Sequence, residues 1–289
     1  MSQLRFPLLL LLALAALIAG CGDDDDSSDE GSSEEATVSL DDCTPDQLET
    51  LADGTLTVAT DSPAFPPYFE DDDPTNGEGF ESAVAYAIAD TLGYAAGDVE
   101  WVVEPFNSSY APGPKKFDFD VNQISITPKR AEQVDFSVPY YTAKQAVVAL
   151  KSSDAADATS LADLADAKIG VQIGTTSLEA VESSIQPTED PQVFDTSNDV
   201  VSALKNEQVD VIVVDVPTAF YLTAVQVPEA TTVGQFEAPG GDEWGALLEK
   251  DSALTDCVSA AITELSDSGE LAAIEKEWIA DKTDAPVIE

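Results

Sequence analysis

The chain has 289 residues, enough for one large or two ordinary domains, and its 44% hydrophobic content can fill real cores. Its 12 Lys and Arg stand against 56 Asp and Glu, a formal charge of −44, so nucleic acid and anionic membrane surfaces are repelled as partners. The absence of His removes the commonest general base and the commonest zinc ligand, which excludes His-based triads and zinc-hydrolase sites.

The acidity itself fits two readings, a strongly hydrated surface suited to high salt or a soluble exported body with an acidic tail. Residues 1–20 read as a signal peptide, with Arg5 in a short leading region, an apolar run from Leu8 to Ile18, and the small Ala19 and Gly20 before Cys21. The run is too short for a permanent membrane span, which needs about 20 apolar residues. Leu17-Ile18-Ala19-Gly20-Cys21 resembles the lipobox of bacterial lipoproteins, and the resemblance implies lipidation of Cys21 and retention at the outer face of a cell membrane. An ordinary secretory signal with an incidental cysteine is the alternative. Residues 21–42 are an acidic, self-repelling stretch without apolar content in its first half, and read as a flexible tether. Cys43 and Cys257 remain as an even pair in a chain bound for an oxidising compartment, so a disulfide is the default reading and two buried thiols the alternative.

From Leu48 onward strand-like and helix-like patterns alternate, which predicts an α/β architecture. Strands are expected at Thr55 to Thr60, Val99 to Val103 and Phe119 to Ile126, with a helix from Glu81 to Leu92 carrying Val84, Ile88 and Leu92 on one face. Val147 to Leu150 opens a second run. It continues with a strand from Lys168 to Ile173, the turn Gly174-Thr175-Thr176, helices at Ser177 to Ile185 and Ser197 to Asn206, and a strand from Asp210 that ends at Asp215. After Pro239-Gly240-Gly241 two amphipathic helices follow, about Leu254 to Ser266 and Leu271 to Ile279.

Four segments finish a strand with polar residues ahead of a turn or helix start, the place where open α/β sheets bind ligands. They are Thr60-Asp61 through Tyr68, Ser125 through Arg130, Gln172-Ile173-Gly174-Thr175-Thr176, and Val214-Asp215. Together they offer a guanidinium, backbone N–H groups at a helix start, and two carboxylates. An α-amino acid zwitterion needs that set, because its carboxylate suits a bidentate Arg and helix-start amides while its ammonium needs an anion.

On Leu56-Thr57-Val58-Ala59-Thr60-Asp61 with Phe65-Pro66-Pro67-Tyr68, Gly79-Phe80-Glu81, Phe117-Asp118, the run from Ser125-Ile126-Thr127-Pro128-Lys129-Arg130 to Phe136-Ser137-Val138-Pro139-Tyr140-Tyr141, and Val171-Gln172-Ile173-Gly174-Thr175-Thr176, the chain resembles the bacterial extracellular solute-binding proteins of family 3, receptors of amino-acid ABC importers. The resemblance spans about Gly54 to Trp278. It implies a two-lobed, periplasmic-binding-protein-like (type II) fold with two hinge crossings, near Tyr141–Val147 and Gln235–Pro239. Residues 43–143 and 239–289 would form the first lobe and residues 144–238 the second.

By position, the resemblance implies that Arg130 clamps the ligand carboxylate with the Ser125 hydroxyl and the Thr175 and Thr176 amides. Asp215 would hold the ammonium, with carbonyl help near Gln123. Phe65 and Phe106 would wall the ligand side chain, and Asp61 would read its polar end. One position departs, Gln123 where the family usually has Gly, and Gln172 stands where Lys or Gln is common. Each role has a plainer rival: an Arg130–Asp135 ion pair, Asp215 as a helix cap, Phe65 and Phe106 as core aromatics, Asp61 as a turn residue beside Pro63. The implied partners are a polar or basic amino acid and a permease, with the membrane reached through the lipid alone, no nucleic acid, no metal or other cofactor, and a monomeric state. An enzyme on the same fold, a cyclohexadienyl or arogenate dehydratase, is the alternative from another class.

Overall fold

A computed structural model describes residues 38–279 and 285–289. The signal peptide, Cys21 and most of the tether lie outside the described residues. The tether's end belongs to the body: Leu40–Asp42 forms a short turn capped by the Ser39 side chain, and Leu40 packs on the first core. Next to it Cys43 is joined to Cys257 by a disulfide. Closing a loop of 214 residues stabilises by up to about 5 kcal/mol in the chain-entropy view.

Two five-stranded sheets form the body. The first contains β1 (Leu56–Thr60), β2 (Val99–Val103), β3 (Phe119–Asp120), β4 (Asp135–Thr142) and, from much later in the chain, β10 (Glu243–Leu248), in the order β2-β1-β3-β10-β4. β1 runs parallel to β2 and β3, and β10 runs antiparallel to β3 and β4. Every residue of β1 is buried, as a central strand covered on both faces requires. One face packs under α1 (Phe80–Thr91), α7 (Thr255–Ser268) and α8 (Glu270–Trp278), whose apolar positions recur at helical spacing. The other holds Ala59, Phe117, Ile124, Val134 and Leu247, near the short helices α2 (Phe106–Ser109) and α3 (Pro128–Ala131).

The second sheet is built from β5 (Gln145–Leu150), β6 (Ile169–Gln172), β7 (Gln192–Phe194), β8 (Val211–Asp215) and β9 (Ala230–Phe236), in the order β7-β6-β8-β5-β9. β7, β6 and β8 are parallel, whereas β5 is antiparallel to its neighbours. α5 (Ser197–Lys205) and α6 (Val216–Tyr221) cover one face, and α4 (Thr176–Ala180), extended by a π-helical turn at Val181–Ile185, covers the other. The chain passes between the sheets twice, through Ala143 and Lys144 and through residues 237–242. The crossings are tied by Ala143 N–H to the Asp242 carbonyl at 2.7 Å. An exposed Lys144–Glu237 ion pair also spans them and contributes little.

Two features depart from expectation. The strand predicted over Phe119 to Ile126 ends at Asp120, because Gln123 has φ +48° and turns the chain toward the cleft. The final residues 285–289 pack on the second sheet rather than the first: Ile288 is buried in its core, and its N–H donates to the Gln235 carbonyl.

Candidate functional site

The parallel strands of both sheets end at a shared cleft, which encloses a cavity of about 410 Å³. Asp61, Phe65, Phe106, Gln123 and Ser125 line it from the first lobe, and Gln172, Thr175, Thr176 and Asp215 from the second. Arg130 is absent from the wall. Its guanidinium lies just behind, with Nη1 donating to the Ser125 carbonyl at 2.7 Å and Nη2 to the Gly174 carbonyl on the other lobe at 2.8 Å. It sits 4.7 Å from the Tyr110 ring centroid and 5.4 Å from that of Phe106, a stacked and nearly buried cation.

The lobes meet through further contacts. Tyr68 Oη is 2.9 Å from Thr218 Oγ1, Ser125 Oγ is 3.2 Å from Thr176 Oγ1, and Asn107 Nδ2 donates to the Asp195 carbonyl at 3.4 Å. Gly174 enters this interface at φ +74°, and a Cβ there would stand 2.4 Å from Tyr110 Oη. The turn therefore needs glycine for both its backbone and its close approach.

Phe106 keeps its plainer role in part, packing against the buried cluster of Ala59, Phe117, Ile124, Val134 and Leu247. Asp135 pairs with Lys250 at 2.9 Å, not with Arg130. Asp215 precedes α6 but makes no side-chain cap bond. Asp61 does serve its turn, accepting from Ser62 N–H at 2.7 Å and Phe106 N–H at 3.1 Å, while also lining the cavity. Gln172 accepts from the Ser197 hydroxyl at 2.6 Å. Thr175 caps α4 through its side chain.

Gln123 shows why a non-glycine residue holds a left-handed position. Its backbone N–H donates to Glu81 Oε1 at 2.6 Å and its side-chain amide to Glu81 Oε2, so two bonds to a carboxylate offset a backbone cost of about 1–2 kcal/mol. Glu81 is fully buried and also accepts from Tyr140 Oη; burial pushes its carboxyl up to about 7 against these three donors.

A second acid group lies at the hinge. Gln145, wholly buried at the start of β5, donates through Nε2 to Asp215 Oδ1 at 2.7 Å and to Asp242 Oδ2 at 2.6 Å, and accepts from the Ser177 hydroxyl. Thr176 Oγ1 also reaches Asp242 at 3.2 Å, while Asp242 Oδ1 is buried with no hydrogen-bond partner. Burial raises both carboxyls above the ordinary range, and for Asp215 the Asp242 charge adds to it. Sequence reasoning singled out neither Gln145 nor Asp242. The Pro239-Gly240-Gly241 turn immediately before Asp242 was the available signal, read only as a boundary. Asn122, Asp195 and Thr218 on the cavity wall were also missed.

Two lobes, two crossings and a polar cavity between them define a cleft-binding protein. The family model for bacterial extracellular solute-binding proteins, family 3, matches residues 56–281, and the chain belongs to that family. It is 31% identical over 216 residues to the arginine-binding extracellular protein ArtP of Bacillus subtilis, a match covering 73% of this chain and 81% of ArtP. A solved ancestral arginine-binding protein bound to arginine is 32% identical, with a TM-score of 0.63 over 78% of this chain and 98% of that one. An ancestral amino acid-binding protein described as a precursor of cyclohexadienyl dehydratase is 29% identical, with a TM-score of 0.63 over 78% of this chain and 95% of that one. Among the described residues, no helix is long and apolar enough to cross a membrane, and no group of acidic or cysteine side chains could hold a metal ion.

Proposed function

We propose that this protein is an extracytoplasmic receptor, anchored by lipid on Cys21, that captures a free polar or basic amino acid between its lobes and delivers it to an ABC importer permease. The observation that carries the reading is the partly open cavity between the lobes in which Asp215, the α4 start and the aromatic rings of Phe65 and Phe106 come together. Asp215 receives the ammonium. Arg130 receives the carboxylate with Ser125, Thr175 and Thr176, exchanging its hold on the Gly174 carbonyl for the ligand. Asp61, with Asp195 beyond it on the wall, favours a cationic or neutral polar side chain over an acidic one.

A ligand touching both lobes stabilises their contact, and the permease then distinguishes the occupied form. The body is a monomer, with residues 43–143 and most of the C-terminal segment in the first lobe and 144–238 in the second. Isothermal titration with L-arginine, then with the other common amino acids, is expected to give one-site saturation for at least one basic or polar member. Heat from none of them would sink the receptor reading. Turnover of a cyclohexadienyl substrate would replace it with the dehydratase. For the anchor, Cys21→Ser is expected to move the protein from the membrane fraction to the medium.

A further inference from the structure

Asp242 is absent from the cavity wall and only 1% exposed, yet it accepts from Thr176 Oγ1 and shares one side-chain amide with Asp215. Both Gln145 Nε2 hydrogens are thereby used, one on each carboxylate, so the buried Asp242 and the half-buried Asp215 stand within a few ångströms of each other. The charged and titratable groups around them are Arg130 from α3, Glu81 from α1, Tyr68 from the loop before it and Tyr141 from β4, while Glu179 from α4 acts on Arg130. Arg130 is the one cation in that group, and two of its N–H groups are held by the Ser125 and Gly174 carbonyls. Lys144, near in sequence, is turned outward to Glu237.

Two carboxylates this close, one buried and the other half-buried at the cavity wall, do not both ionise readily without a cation between or beside them. We infer that Asp242 is the second acid of the ammonium site: coupled to Asp215 through Gln145, it shares with it one proton that the cationic nitrogen of the ligand displaces. This rests on the amino-acid reading above. The charge balances: a pair carrying one proton and one negative charge meets a ligand ammonium, becomes two carboxylates beside one cation, and releases one proton to water. The two acids titrate as a unit, with neither owning the proton. Gln145 and Asp242 also sit at the two crossings, and Thr176 links Asp242 to Ser125 across the cleft, so the ionisation state is felt where the lobes hinge.

The test is isothermal titration of the full chain with L-arginine in phosphate and in Tris at matched pH. The expected result is an apparent enthalpy that depends on the buffer, corresponding to about one proton released, with affinity rising about tenfold per pH unit until the pair is ionised. Saturable binding with a buffer-independent enthalpy overturns the inference and leaves the receptor reading intact; no saturation by any amino acid removes both. Proton release is expected to be lost in Asp242→Asn and kept in Glu81→Gln, and the reverse pattern overturns the assignment. Should Asp242→Asn not fold, infrared difference spectra of the wild-type chain decide. A protonated carboxyl band lost on adding arginine is expected to shift with isotope-labelled aspartate; a shift with labelled glutamate instead assigns the proton to Glu81 and overturns it.

Discussion

Glu81, fully buried, and the Asp215–Asp242 pair, half-buried and buried, are acids close to one cleft, and they are treated in opposite ways. Glu81 accepts from three donors, all in its own lobe, and in return holds Gln123 in a left-handed turn. Its carboxylate is spent on architecture. Asp215 and Asp242 divide one amide between them, Thr176 adds a hydroxyl to Asp242 Oδ2, and Asp242 Oδ1 has no hydrogen-bond partner. A fully satisfied acid shapes a wall; an under-satisfied pair is ready to receive a cation, because an incoming positive charge supplies what the protein withholds.

The contrast can be broken experimentally. The largest effect is expected at Asp215→Asn, which removes the anion proposed to face the ammonium and should weaken arginine binding roughly 100-fold or more, read by titration calorimetry. At Glu81 the expected effect is on stability. Its carboxyl is raised from 4.5 to about 7, so folding is unpenalised at acid pH and loses stability as pH rises through that range. The Glu81→Gln chain lacks this titration. The difference in unfolding free energy between the two proteins should therefore change by about 3 kcal/mol from pH about 4 to pH about 8, measured by urea melts.

Gly174→Ala should weaken binding about tenfold, since the new methyl meets Tyr110 Oη and Asn107 at the lobe contact and the backbone keeps a positive φ. Unchanged affinity would show that lobe contact does not depend on this turn. The smallest effect is expected at Asp120, a further buried acid, whose carboxyl oxygens have no hydrogen-bond partner and whose protonation burial favours. Asp120→Val should stabilise the protein by about 1 kcal/mol at neutral pH without altering ligand affinity. A loss of affinity there would end the distinction between architectural and receptive acids.

Much of the fold was legible in the chain. The buried strand before Asp215, the helical four-residue spacing of Val84, Ile88 and Leu92, and the cysteine pair each carry local or compositional signals that survive folding unchanged. β4 was less visible, since Pro139 and Ser137 interrupt its pattern; as an edge strand it tolerates a proline that a central strand would reject. Strand ends facing a cleft also follow from α/β topology, which is why nine of the ten expected ligand positions line one cavity.

What the sequence determined by itself was thus the family, the strand-end positions and the cysteine partners, because periodicity, turn chemistry and motif are properties of neighbouring residues. Only the tertiary structure turned the Arg130 guanidinium onto two carbonyls, clasped Gln123 to Glu81, and brought Asp215 and Asp242 to one amide of Gln145. Residues 145, 215 and 242 have no local pattern in common. They meet because both crossings converge at the hinge, and burial there makes a shared proton the lower-energy state.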